Sequence, residues 1–181
     1  IVHSEGICKN FTVKSFDGVE RVQNVLENIS FDLYKGDSLA LIGVNGSGKS
    51  TLLKILSNII KPTSGEILIR FTSILDVGNG FHPELSGREN IYLYHSLISP
   101  NTKPKEEIII SFSELYEHID TPVKYYSNGM YLRLAFSIAI HAEADLLLLD
   151  EVLAVGDSSF MNKCYNKISE RRQEGCSFII A

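Results

Sequence analysis

The sequence predicts an α/β fold built around a mainly parallel sheet, and three observations predict it. Short apolar runs at 38–42 (SLALI), 146–149 (LLLL) and 177–181 (SFIIA) have the length and composition of buried strands. Between them lie stretches of helical spacing, clearest at 49–60, where Leu52, Leu53, Ile55, Leu56, Ile59 and Ile60 recur on one face. Strands that alternate with helices are the pattern of a parallel sheet, whose neighbouring strands need crossover connections.

The elements follow in order. Residues 1–37 hold alternating segments such as NISFDLYKG and read as short strands. The run at 38–42 ends at glycine and reads as a buried strand, with the helix of 49–60 behind it. KPTSG at 61–65 is a turn, and 66–69 a strand. Residues 84–120 read as mainly helical, interrupted by Ser-Pro-Asn at 99–101. YSNGMYLRLAF at 126–136 is an apolar helix fed directly by a polar, glycine-bearing turn. By itself it is an ordinary capped core helix. A second buried strand at 146–149, a helix at 158–173 and a strand at 177–181 complete the chain. There is no internal repeat and no low-complexity segment.

Composition sets bounds. A chain of 181 residues suits one domain and buries enough surface to need no staple. The hydrophobic share of 44% and charged share of 22% are those of an ordinary globular protein. A net charge of −5 argues against general nucleic-acid binding, so no nucleic-acid partner is expected. Cys8, Cys164 and Cys176 form no CxxC pair, which argues against a disulfide framework or a zinc site and fits reduced thiols in a cytoplasmic compartment. The stretch 91–102 lacks charged residues but is too short to cross a bilayer, and no signal-peptide pattern opens the chain. Any membrane role needs a partner.

Residues 43–51 read GVNGSGKST, a GxxxxGK[ST] pattern between a predicted strand and a predicted helix. Glycines let the backbone curl so that successive N–H groups point at phosphate oxygens, and the following helix presents its positive end to the same anion. Gly43, Asn45, Gly46, Ser47, Gly48, Lys49, Ser50 and Thr51 are therefore candidate nucleotide contacts. Lys49 is expected on the β- and γ-phosphates and Ser50 on Mg²⁺. Downstream, LLLLDE at 146–151 ends a buried strand in two carboxylates, at the sheet edge that borders the ligand crevice in open parallel sheets. Asp150 is expected in the Mg²⁺ shell and Glu151 as the base that takes a proton from the attacking water. The NKxD motif of GTPases is absent, because Asn162-Lys163-Cys164 is followed by Tyr165.

With these two motifs in place, Tyr126-Ser127-Asn128-Gly129-Met130 resembles the LSGGQ signature of the ATP-binding cassette (ABC) ATPases. Ser127 and Gly129 match, whereas Tyr126, Asn128 and Met130 depart. The resemblance implies a P-loop NTPase with a RecA-like core sheet, an antiparallel β subdomain and an inserted α-helical subdomain at about 84–135. It implies ATP and Mg²⁺ as cofactors, and a head-to-tail homodimer in which Ser127 and Gly129 close over the γ-phosphate held by the other copy. It further places Asp157 as the D-loop aspartate and Phe11 as the aromatic that stacks on adenine. At the Q-loop position, Asp76 stands where the family carries glutamine.

LDVGNGFHPELSGRENIYL (75–93), DTPVKYYSNGMYLRLAF (120–136) and DEVLAVGD (150–157) narrow the resemblance to the ATPase subunits of bacterial polysaccharide exporters, which move O-antigen, teichoic acid or capsule chains. In most ABC transporters Pro-Thr follows the acidic pair, but here Val152-Leu153 follow. The resemblance implies a partner permease contacted through 75–93, and a peripheral place on the cytoplasmic face of the cell membrane. The alternatives are another ABC exporter or a soluble, non-transport ABC protein. The family's switch histidine would follow the strand at 177–181. His3, His82, His95, His118 and His141 all lie before residue 146. The reading therefore expects a single nucleotide-binding domain, truncated at its C-terminus and poorly active without that histidine.

Overall fold

The computed structural model describes residues 2–15, 18–70, 74–77, 81–98, 102–149 and 158–181. Two sheets share the work. The first is antiparallel, with β1 (Val2–Lys14) between β2 (Glu20–Leu33) and β4 (Ser64–Ile69). In place of the short strands expected in 1–37, Val2–Lys14 and Glu20–Leu33 form two long ones, with register shifts between Ser4 and Asn10. β4 begins two residues earlier than its apolar run because Gly65 adopts φ +89° against β1. A side chain there would stand 2.3 Å from the Gly6 carbonyl oxygen.

The second sheet is parallel. It contains β3 (Ser38–Ala40), β5 (Ile74–Val77), β6 (Leu146–Leu149) and β7 (Ser177–Ile180), in the order β3-β7-β6-β5. Leu146 to Leu149 are at most 1% exposed. Both faces of β6 are covered, which is why its sequence is an unbroken apolar run instead of an alternation. Leu146 and Leu148 face Val2, Ile7, Leu33, Leu52 and Leu56. Leu147 and Leu149 face Phe136, Ile140, Phe160 and Phe178.

Two expectations need correction. The run at 38–42 is not a buried strand. β3 is an edge strand among the described residues, Leu39 and Leu41 are half-buried, and Ile42 is 95% exposed as the chain leaves the sheet toward Gly43. The helix of 49–60 also ends early. α1 spans Lys49–Leu56, and the Ser57 hydroxyl bonds back to the Leu53 carbonyl at 3.0 Å. Asn58 then turns left-handed at φ 58° and Ile59 is 58% exposed. Serine and asparagine offer the backbone partners that compete with helix continuation.

The helical region contains α2 (Gly87–Ile98), α3 (Glu106–Ser113), a 3-10 turn (Val123–Tyr125) and α4 (Asn128–His141). Ile91, Ile109, Ile110, Leu115, Ile119, Val123, Leu134 and Ile138 form its own core. α5 (Ser158–Gln173) spans the residues its pattern predicts and packs Phe160 and Cys164 against the parallel sheet. Among the described residues no helix is long and apolar enough to cross a membrane.

Candidate functional site: a phosphate cradle and a capped helix

The loop between β3 and α1 is built around glycine. Gly46 and Gly48 have φ +83° and +95°, a region that other residues enter at a cost. Gly48 also presses on β2, since a side chain there would meet the Val25 carbonyl oxygen at 2.7 Å and a Leu26 methyl at 2.8 Å. The loop closes with the Ser47 N–H donating to the Val44 carbonyl at 3.1 Å. Lys49 reaches back over it, its Nζ donating to the carbonyls of Gly43 at 2.8 Å and Val44 at 3.3 Å. No side chain caps α1 and no acid sits in its first turn, so the positive helix end is uncompensated by its own sequence. Val25, Asn45, Gly46, Gly48, Lys49, Ser50 and Thr51 line a cavity of about 190 Å³ there.

Ser127 is the N-cap of α4. Its Oγ accepts from the Met130 N–H at 3.2 Å, and Gly129 lies in the first turn, which carries no acid. The departure at Tyr126 has a packing reason. The phenol donates to the His118 carbonyl at 2.8 Å and lies over Gly87, where a side chain would come within 2.4 Å of the phenolic oxygen. Burial pushes that phenol up to about 12. The segment entering α4 is thereby pinned to the start of α2.

Phe11 lies opposite Gln23 in the antiparallel sheet, 41% exposed, with the Lys9 ammonium 5.0 Å from its ring centre. Asp76 stands opposite Leu148, one residue before the end of β5. Asp150, Glu151 and Asp157 lie outside the described residues. The structure thus gathers Asn45, Gly46, Gly48, Lys49, Ser50 and Thr51 into one cradle. Gly43, Ser47, Phe11, Ser127 and Gly129 do not line it.

Sequence reasoning missed the polar joints of the helical region. Ser86 and Glu89 form a capping box, in which the Ser86 N–H and hydroxyl each donate to Glu89 at 2.8 Å, holding that carboxyl below its usual range. SGRE at 86–89 carries that signal openly. Asn90 is fully buried, and its amide accepts from the His82 N–H at 2.8 Å and donates to the carbonyls of His82, Leu85 and Ser86. Arg88 reaches Asp120 at 2.6 Å and also pairs with Glu106. Glu114 bridges Arg133 and Lys163.

The ABC transporter family matches residues 26–154. The O-antigen export system ATP-binding protein RfbB of Klebsiella pneumoniae is 48% identical over 159 residues, which is 85% of this chain and 65% of that protein. The teichoic acids export ATP-binding protein TagH of Listeria innocua is 41% identical over 85% of this chain and 47% of its own length. The chain therefore spans less than two thirds of either relative. A dimeric ATP-binding cassette solved in a post-hydrolysis state with ADP and Pi superposes with a TM-score of 0.86 at 21% identity, covering 99% of this chain and 87% of that one.

Proposed function

Since this chain belongs to the ABC transporter family, we propose that it binds and hydrolyses ATP to power export of a polysaccharide or lipid-linked glycan through a separate membrane permease. The observation that supports it most is the cradle lined by Asn45, Gly46, Gly48, Lys49, Ser50 and Thr51, where glycine-forced backbone, an uncapped helix start and Lys49 converge on one cavity. The names of the export relatives support the substrate class, and the homodimer is proposed by likeness to the matched dimeric cassette.

In this reading Lys49 Nζ exchanges its two loop carbonyls for the β- and γ-phosphate oxygens, and the first-turn N–H groups of α1 hold the rest. The exposed Ser50 that lines the cavity fits Mg²⁺, a hard cation that takes oxygen ligands, and the reading assigns Asp150 to the same shell. When bound, Mg²⁺ neutralises charge on the phosphate oxygens. Glu151 accepts the proton of a water that attacks the γ-phosphorus as the bond to the bridging oxygen breaks and ADP leaves. Phe11 stacks on adenine. Ser127 and Gly129 close over the γ-phosphate held by the second copy, and Asp157 links the two sites across the dimer. Asp76, at the Q-loop position, is assigned to the γ-phosphate side of the chain's own site, where it holds Mg²⁺ or water at the permease interface. Residues 84–135 form the helical subdomain, and the protein works peripherally on the cytoplasmic face of the cell membrane.

Calorimetry tests the binding step. Wild type binds MgATP and Lys49→Ala shows no measurable binding, whereas equal affinities in the two would overturn the assignment. For hydrolysis, Glu151→Gln in the full-length protein lowers phosphate release by about 10² to 10⁴ and leaves MgATP binding in place.

A further inference from the structure

Glu114 occupies a backbone conformation that its residue type disfavours. It caps the C-terminus of α3 at φ 61° and ψ 30°, where glycine or asparagine is the usual resident. The other non-glycine residues with positive φ among those described are Asn28 and Asn58, whose short amides tolerate it. The conformation directs a carboxylate at two cations on two other helices. Oε2 accepts from the Arg133 guanidinium of α4 at 2.8 Å, and Oε1 from the Lys163 ammonium of α5 at 3.1 Å.

Each cation is backed by a ring. The Arg133 guanidinium lies 4.6 Å over Phe160 of α5, and the Lys163 ammonium lies 4.7 Å over Phe112 of α3 while donating to its carbonyl at 2.9 Å. Phe160 is 3% exposed and meets Phe112 and Phe136 edge-on. The Arg133 side chain is only 17% exposed, so its pair with Glu114 is less screened than an open surface pair. One carboxylate, held by a strained backbone, joins α3, α4 and α5. Strain of this kind persists where the surroundings over-determine it.

The two helices that Glu114 joins carry different parts of the proposed reaction. α4 is capped by Ser127, and α5 begins at Ser158, directly after Asp157. We propose that Glu114 is a positioning residue for ATP hydrolysis, holding the signature helix and the helix after Asp157 in one unit so that both reach the partner copy's nucleotide together. The proposal rests on the ATPase reading above. It assigns Glu114 no contact with nucleotide.

Glu114→Gly in the full-length protein separates this role from simple capping, because glycine suits φ 61° and removes the carboxylate. Positioning predicts an unchanged KM for ATP and a kcat lower by about tenfold, the mark of an interaction made in the transition state. Glu114→Gln, which keeps the shape, shows the same loss, and Glu114→Asp, which keeps the charge, returns kcat to within about threefold of wild type. Amide hydrogen exchange without nucleotide gives a second readout. The first turns of α4 and α5 exchange faster together in Glu114→Gly, while α1 is unchanged. Wild-type kcat in Glu114→Gly and Glu114→Gln, or faster exchange confined to the end of α3, would overturn the proposal. If wild type itself hydrolyses no ATP, the functional reading fails, and the exchange pattern alone decides whether Glu114 couples the helices.

Discussion

Gly87 has no side chain because Tyr126 fills its place. In Gly87→Ala the new methyl would stand 2.4 Å from the phenolic oxygen and 3.1 Å from the Ile119 carbonyl. Overpacking of this kind costs about 1–3 kcal/mol, so the thermal midpoint drops by about 2–12 °C. Scanning calorimetry of Gly87→Ala and of Gly87→Ala/Tyr126→Phe checks the cause, since removing the phenolic oxygen recovers part of the loss. Glu114 carries a pH prediction at the same scale. The Lys163 ammonium first, and Arg133 after it, hold its carboxyl below the ordinary 4.5. A lowered folded value means that stabilisation is present above about pH 4.5 and is lost as pH falls through the folded value. Urea midpoints from about pH 5 to pH 3 therefore fall less steeply for Glu114→Gln than for wild type. Residues differ in how openly the sequence shows them. Lys49 is legible because GxxxxGK[ST] is local. Glu114 is not, because its partners stand 19 and 49 positions away and no nearby pattern marks them.

Among elements, β6 and β3 make the clearest contrast. Both read as buried apolar runs, but only β6 is covered on both faces. Leu148 is fully buried, and Leu148→Ala costs about 2–5 kcal/mol. Leu39 is half-buried on an edge strand, and Leu39→Ala costs about 1 kcal/mol. Chemical denaturation of the two variants measures the difference, and equal losses would mean that β3 is covered on both faces after all. The misreading has a physical source. An apolar run reports what a strand can bury, whereas its neighbours decide what it does bury. α5 spans its predicted residues because its ends are marked locally, by Ser158 at the start and by the turn into Gly175 after Gln173. α1 stops early because Ser57 bonds backward, a choice that the apolar spacing of Ile59 and Ile60 conceals.

At the scale of the molecule, the fold class was legible from alternation, but the strand order was not, because pairing between distant strands leaves no periodic trace. The helical region has its own core, which shares Phe81 and Tyr94 with the core beneath α5. Regions with separate cores open at separate free energies. Native-state hydrogen exchange in low denaturant therefore shows α2 and α3 exchanging through an opening that costs less than that of β6, and one common value for all three would refute the division. The order β3-β7-β6-β5 also carries a consequence in time. Among the described residues β3 pairs with β7 alone, and Gly36 bonds to Ser177 across 141 positions. A nascent chain emerging from the ribosome has its phosphate loop long before it has the strand that anchors β3. Contacts of such separation form late. Until residues 177–180 leave the exit tunnel the loop has no seated strand beneath it, so the proposed nucleotide site is complete only in a molecule whose synthesis has passed that point.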